Sequence, residues 1–251
     1  AAQLEGSKVF AKDLMKKYNI PTAAYGVFSD VDEAKQFIAK TGAPIVVKAD
    51  GLAAGKGVVV AMTVEEANAA VDDMLSGNRF GEAGSTVVIE EFMEGEEASL
   101  LAFVDGKTVI PMIASQDHKR IFDGDKGPNT GGMGTYAPAP VLTDALRDEA
   151  MKSILEPMVA AMEQEGMPYV GCLYAGLMIT NEGPKVVEFN ARFGDPETQV
   201  VLPLLEGDLG QIMMACATGT LKVDMVKWKD SSAACVILAS KGYPETSSKG
   251  D

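Results

Sequence analysis

Histidine is almost absent, with His118 alone in 251 residues. A Ser-His-Asp or Cys-His mechanism would have to run through it, and no nucleophile elbow surrounds it. The shortage also disfavours zinc, whose sites draw on clustered histidine and cysteine. Cysteine is scarce as well. Cys172, Cys216 and Cys235 are isolated and odd in number, which predicts buried reduced thiols of a cytosolic protein. Basic charge is in deficit: 22 lysines and arginines face 36 acidic residues, a formal net charge of −14. That argues against a nucleic-acid surface. It still permits a small phosphorylated ligand neutralised by a few local lysines and a metal. No apolar run approaches the ~20 residues of a membrane span, and no signal peptide is read at the start. Apolar residues make up 47%, enough for one large domain or two to three small ones.

In chain order, residues 1–6 read as the tail of a helix or a linker. Ser7 predicts a cap for a helix to about Tyr18, with Phe10, Leu14 and Tyr18 on one face. Lys8 sits in its first turn, against the helix dipole, where it serves either solvent or a ligand. A helix is expected over 31–41, capped near Ser29 or Asp30, then a strand Ile45–Ala49. Asp50-Gly51-Leu52-Ala53-Ala54-Gly55-Lys56-Gly57 joins it directly to a second strand, Val58–Ala61. A Walker loop or a dinucleotide fingerprint joins strand to helix, so neither fits. The three glycines and Lys56 make either a flap whose N–H groups fold over phosphates or a plain flexible hairpin with a solvated lysine. Thr63-Val64-Glu65-Glu66 is a capping box for a helix to about Ser76 that buries Ala67, Ala70, Val71 and Met74.

Strands follow at Val87–Ile89, Glu96–Val104 and Lys107–Met112. Gln116-Asp117-His118-Lys119-Arg120 is a polar knot, and Gly127 to Gly134 is expected to be neither helix nor regular strand. A loop of this length is functional or disordered. Thr143 caps a helix to about Glu165 that Pro157 must kink or break. A hairpin spans 171–190. A helix over 208–218 is expected to bury Leu209, Ile212, Met213 and Cys216. Trp228 has no assignable role, and a strand covers 233–239. In the hairpin's second strand, Val187 and Phe189 are expected on the core face and Glu188 and Asn190 on the other. A carboxylate and an amide oxygen two residues apart suit Mg²⁺, which takes few protein ligands. The same pattern also fits a solvated edge strand.

Together, Ser7-Lys8, Ile45 to Gly57, Glu90-Glu91-Phe92, Gly95 to Ser99, Ser115 to Arg120, Gly127 to Gly134 and Glu188 to Glu197 resemble the glycinamide ribonucleotide synthetase (phosphoribosylamine–glycine ligase) family of ATP-grasp enzymes. The resemblance covers nearly the whole chain. It implies an α+β fold of two α/β subdomains with ATP between their sheets. It places residues 1–22 with the larger subdomain, 23–92 in a small lid subdomain, 93–222 in the large subdomain and 223–251 at the start of a C-terminal domain. The family's N-terminal domain and most of its C-terminal domain have no counterpart here, so the chain resembles a central module.

By the same resemblance, adenine would contact Glu90, Glu91, Phe92 and Met93, mostly through backbone, and Glu97 would bind the ribose. Lys8 and Lys48 would hold phosphates beneath the flap of Gly51, Gly55, Lys56 and Gly57. Glu188 and Asn190 would ligate Mg²⁺, with Mn²⁺ as a substitute. Asp117, Arg192 and the 129–134 loop would approach glycine and 5-phosphoribosylamine. The implied chemistry is phosphorylation of glycine to glycyl phosphate, then attack by the amine. No nucleic-acid or membrane partner is implied, and a monomer or weak dimer is expected in the cytoplasm. Two alternatives stay open: another ATP-grasp carboxylate–amine ligase, or a nucleotide-binding module without turnover of its own.

Overall fold

The computed structural model describes residues 1–51, 57–76, 85–124, 126–244, 246 and 248. The short helix α1 (Gln3–Gly6) leads into α2 (Lys8–Lys17). Ser7 caps α2, its hydroxyl accepting from the Phe10 N–H at 3.1 Å. Asp50, far along the chain, accepts from the Val9 N–H at 3.1 Å, a carboxylate placed where the helix dipole favours one.

A small sheet follows. Its parts are β1 (Tyr25–Phe28), α3 (Val31–Thr41), β2 (Ile45–Ala49), β3 (Val58–Ala61), α4 (Val64–Val71) and β4 (Val87–Glu91). Asp30 and Thr63 cap the two helices as the sequence predicts. A π-helical turn, Asp72–Ser76, extends α4. The strands lie in the order β1-β4-β2-β3, every pair antiparallel. Strand alternation sends Ile45, Val47, Val87 and Ile89 into a core under α3 and α4. It sends Val46, Lys48 and Glu90 to the opposite face, which borders a cleft.

The larger unit is built on β5 (Glu96–Asp105), β6 (Val109–Pro111), β7 (Gln116–Asp117), β8 (Arg120–Phe122), β9 (Lys126–Asn129) and β10 (Gly134–Ala137). After them come α5 (Asp144–Ala150), α6 (Glu156–Gln164), β11 (Val170–Thr180), β12 (Gly183–Asn190), α7 (Thr198–Val201), β13 (Leu205–Glu206), α8 (Leu209–Thr218), β14 (Lys227–Trp228) and β15 (Ala233–Val236). Its main sheet runs β12-β11-β5-β6. Leu100, Ala102 and Leu173 face α2, α5 and α6 across one core. Leu101, Phe103 and Tyr174, from the alternate positions, face α7 and α8 across another. Each such side chain removed from water contributes about 1.5–3 kcal/mol, so the two cores fix the main sheet between two helical layers.

Several expectations are corrected. The 116–137 region contains regular structure: β8 pairs with β9, and β10 pairs with β7 on one side and β15 on the other. Gly124 and Gly132 take positive φ outside the strands, and Gly127 takes it within β9. On α8 the buried stripe is Ile212, Ala215 and Cys216, and Met213 is 50% exposed. Small Ala215 lets that face sit against the sheet and turns Met213 outward. The break at Pro157 is taken up by a π-helical turn, Met151–Leu155, directly before α6, where a missing N–H is tolerated. Cys172 and Cys216 are buried free thiols, but Cys235 on β15 is only half-buried. Trp228 pairs opposite Leu205 and packs on the α8 core. No helix among the described residues is long and apolar enough to cross a membrane.

Candidate active site

A cleft of about 940 Å³ opens between the two sheets. On its small-sheet wall, Glu90 stands opposite Val46, two residues from Lys48 on the neighbouring strand, so their side chains are diagonal neighbours on one face. Lys48 lies 2.9 Å from Glu90 Oε1, and Lys12, from α2, lies 2.9 Å from Glu90 Oε2. All three are deeply buried, at 4%, 2% and 2% exposure for Lys48, Glu90 and Lys12. Lys12 also donates to Thr22 Oγ1 at 2.7 Å, and Thr22 donates to the Val186 carbonyl at 2.7 Å. Lys48 donates to the Val187 carbonyl at 3.1 Å. These bonds tie the small sheet to β12. Burial, with Lys48 beside it, pushes Lys12 down to about 8 against the pull of Glu90. Lys8 donates to the Gly51 carbonyl at 2.9 Å. Burial holds its pKa below the ordinary lysine range although Glu188 opposes the shift.

The opposite wall is the end of β12. The register with β11 slips there: Leu177 faces Val186, Gly176 faces Glu188, and Val187 has no partner. This bulge corrects the expected facing. Val186, not Val187, enters the core with Phe189, and Val187 turns to the cleft beside Glu188. The extra residue also frees the carbonyl that Lys48 uses. Beyond the bulge, Glu188 and Asn190 share the cleft face. Asn190 is 8% exposed, and its Oδ1 accepts from Arg192 Nη2 at 3.3 Å, leaving a second lone pair. Arg192 is fixed by Glu5 of α1, which accepts from Nε at 3.0 Å and from the Ala191 N–H at 2.9 Å. No three His, Cys, Asp or Glu side chains among the described residues gather as a metal cage. One carboxylate and one amide oxygen are what a magnesium ion carried by a phosphate ligand requires, so the residues present fit that group.

The floor is acidic. Glu197, 2% exposed, accepts from the Tyr174 hydroxyl at 2.5 Å and from Ser99 Oγ at 3.1 Å. Burial and then Glu197 hold the Tyr174 hydroxyl well above its ordinary pKa. Lys119 pairs with Glu97 at 2.9 Å. Burial opposes its charge, but Glu97 and then Glu188 outweigh it and raise its pKa. Burial and then Glu197 push Asp117 up to about 7, with Lys119 pulling the other way. A carboxyl whose folded pKa is raised adds stability below its unfolded pKa near 4 and loses it as pH climbs through 7. Asp117→Asn is therefore expected to stabilise the chain by about 1–3 kcal/mol at pH 8 and to leave it little changed at pH 4. Thermal melts at the two pH values check this; equal shifts at both would remove the raised pKa.

The structure brings Lys8, Lys48, Gly51, Glu90, Glu91, Phe92 and Met93 to the cleft, with Glu97, Asp117, Glu188, Asn190 and Arg192 facing them. Gly57, the last residue of the expected flap, is not among the cleft-lining residues, and its carbonyl accepts from the Ala49 N–H. Gly55 and Lys56 lie outside the described residues. The Glu90 side chain, assigned above only to a backbone hinge, is the centre of the buried charge group. Sequence reasoning gave no role to Lys12, Glu5 or Glu197. Lys12 was findable: it repeats Lys8 at i+4, and Met15 adjoins both on the same face. His118 makes backbone bonds to Gly134 and Met133, and its ring lies 5.4 Å from that of Tyr136.

Two sheets enclosing a lysine-lined cleft, with acidic and amide side chains on the far wall, define an ATP-grasp fold. Solved structures agree. The biotin carboxylase domain of Hydrogenobacter thermophilus 2-oxoglutarate carboxylase, crystallised with MgADP, superposes on 92% of this chain and 50% of its own with a TM-score of 0.71 at 19% identity. The chain belongs to the phosphoribosylglycinamide synthetase family, the model of whose ATP-grasp (A) domain matches residues 6–198. A phosphoribosylamine–glycine ligase of Halalkalibacterium halodurans is 58% identical over 250 residues, which is 100% of this chain and 58% of that protein. The structure of phosphoribosylamine–glycine ligase from Thermotoga maritima is 38% identical and has a TM-score of 0.91 over 99% of this chain and 63% of its own. The chain thus spans under two thirds of the length of its relatives.

Proposed function

We propose that this chain is the nucleotide-binding and catalytic core of an ATP-dependent ligase that joins glycine to 5-phosphoribosylamine, giving glycinamide ribonucleotide, ADP and phosphate. The observation that carries the reading is the opposition of Glu188 and Asn190 to Lys8 and Lys48 across one cleft, within a chain of that family. Lys8 and Lys48 hold phosphate oxygens, and the glycine flap closes over them. Glu90 to Met93 border the adenine, and Glu97 meets the ribose. Glu188 and Asn190 would hold Mg²⁺, with Mn²⁺ as a substitute, and the bound ion would neutralise charge on the phosphates. Arg192, held by Glu5 and Asn190, keeps free N–H groups for a substrate carboxylate or phosphate. The glycine carboxylate takes the γ-phosphoryl group and ADP leaves. The amine then attacks the acyl carbon, and phosphate leaves as the amide forms. Asp117, titrating near neutrality, is placed to accept the amine's proton. The glycyl phosphate must be kept from water, which a closing flap does.

The partition at 22, 92 and 222 belongs to the same proposal, as do a monomer or weak dimer and a cytoplasmic site. A second reading, a nucleotide-binding module without turnover of its own, accounts for the same cleft, because its lysines and the Glu188–Asn190 pair serve binding alone. Calorimetry with ATP and Mg²⁺, followed by an ADP-release assay with glycine and phosphoribosylamine, separates the two. Binding and turnover support the ligase. Binding without turnover, in this chain and in the full-length polypeptide alike, leaves only the module.

A further inference from the structure

We propose that Lys12 is a positioning residue that frees Lys48 for the nucleotide, by neutralising Glu90 at Oε2, the oxygen that Lys48 does not face. The inference rests on the nucleotide reading above and adds a residue to it.

The argument starts from Glu90. A carboxylate this deeply buried must keep a cation, because an unpaired buried charge costs several kcal/mol. Lys12 and Lys48 both serve it, and the two contacts differ. Lys12 is anchored at both ends, to Glu90 Oε2 at 2.9 Å and to Thr22 Oγ1 at 2.7 Å, with the Tyr25 ring 5.7 Å away. Lys48 lies as close to Oε1, but off the line of a hydrogen bond, so that Oε1 accepts none. Its directed bond goes to the Val187 carbonyl at the bulge. Lys48 is therefore held by contacts it can leave, and Lys12 by contacts it keeps.

Charge completes the argument. Two ammonium groups on one carboxylate leave one positive charge in a poorly solvated place. The groups facing Lys12 are Glu90 from β4, Lys48 from β2 and Tyr25 from β1, whose hydroxyl is bonded to Asp13. A phosphate oxygen arriving at Lys48 restores balance, and Lys12 alone then satisfies Glu90. Without Lys12, Lys48 would be the sole partner of a buried carboxylate and would be held back from the ligand.

The test is titration calorimetry of the chain with MgATP. Lys12→Met is expected to weaken binding about 10–100-fold, the range for a hydrogen-bonded charge. Lys12→Arg is expected to keep most of the affinity, and Lys12→Met with Glu90→Gln to recover most of what the single change loses, because Lys48 is then released. Wild-type affinity in Lys12→Met, or a double variant no tighter than the single, overturns the proposal. If Lys12→Met alone does not fold, the double variant decides: affinity more than about 10-fold below that of the unaltered chain overturns the proposal. An unaltered chain that does not bind MgATP at all overturns the nucleotide reading and this inference together.

Discussion

Changing Glu188 to alanine in the full-length polypeptide is expected to lower magnesium-dependent turnover on the order of 10³-fold, the scale of losing one preorganised electrostatic contact to a transition state. Glu188 is the only carboxylate on the cleft face of β12 past the bulge, and Asn190 beside it carries no charge. On the proposed assignment, a divalent ion would lose its one anionic protein ligand on that strand without Glu188. Lys8 and Lys119 also lose an anion that acts on both. The side chain is only half-buried, so the fold should survive. Steady-state rates across a magnesium titration provide the check, with circular dichroism as control. Unchanged rates at every magnesium concentration would remove the metal assignment.

The second large effect concerns stability. Glu90→Ala is expected to destabilise the chain by about 3–5 kcal/mol, since it leaves two buried ammonium groups without their anion. Lysines with depressed folded pKa values bind fewer protons folded than unfolded, so stability rises with pH up to the unfolded value near 10.5. The deficit of the variant should therefore shrink between pH 7 and pH 10. Urea unfolding at those two pH values measures both statements. A deficit under 1 kcal/mol, or one that grows with pH, contradicts the buried charge group.

Much of this was readable from local chemistry. Ser7, Asp30, Thr63 and Thr143 each cap a helix, because an N-cap is a contact between near neighbours in sequence. The strands Ile45–Ala49 and Val58–Ala61 also stand where alternation puts them. The bulge at Val187 was not readable: a one-residue slip depends on the partner strand, and Val186 and Val187 are chemically the same. Met213 was misplaced for a related reason, since Leu209, Ile212 and Met213 suggest one stripe and the sheet selects another. In the site, the ligand-like residues stood out by type. Their supports Glu5 and Glu197 did not, because each acts on a residue far away in the chain, and Lys12 showed only as the i+4 repeat of Lys8. Glu5 and Arg192, for instance, are 187 positions apart.

The pairing of β15 with β10 bears on how this polypeptide can be shortened. Residues 233–236 hydrogen-bond along one edge of β10, while the other edge lies against the strand carrying Asp117. A piece ending at residue 232 would bare that edge, inviting self-association and loosening the acidic floor. A working minimal core must therefore run at least through Val236.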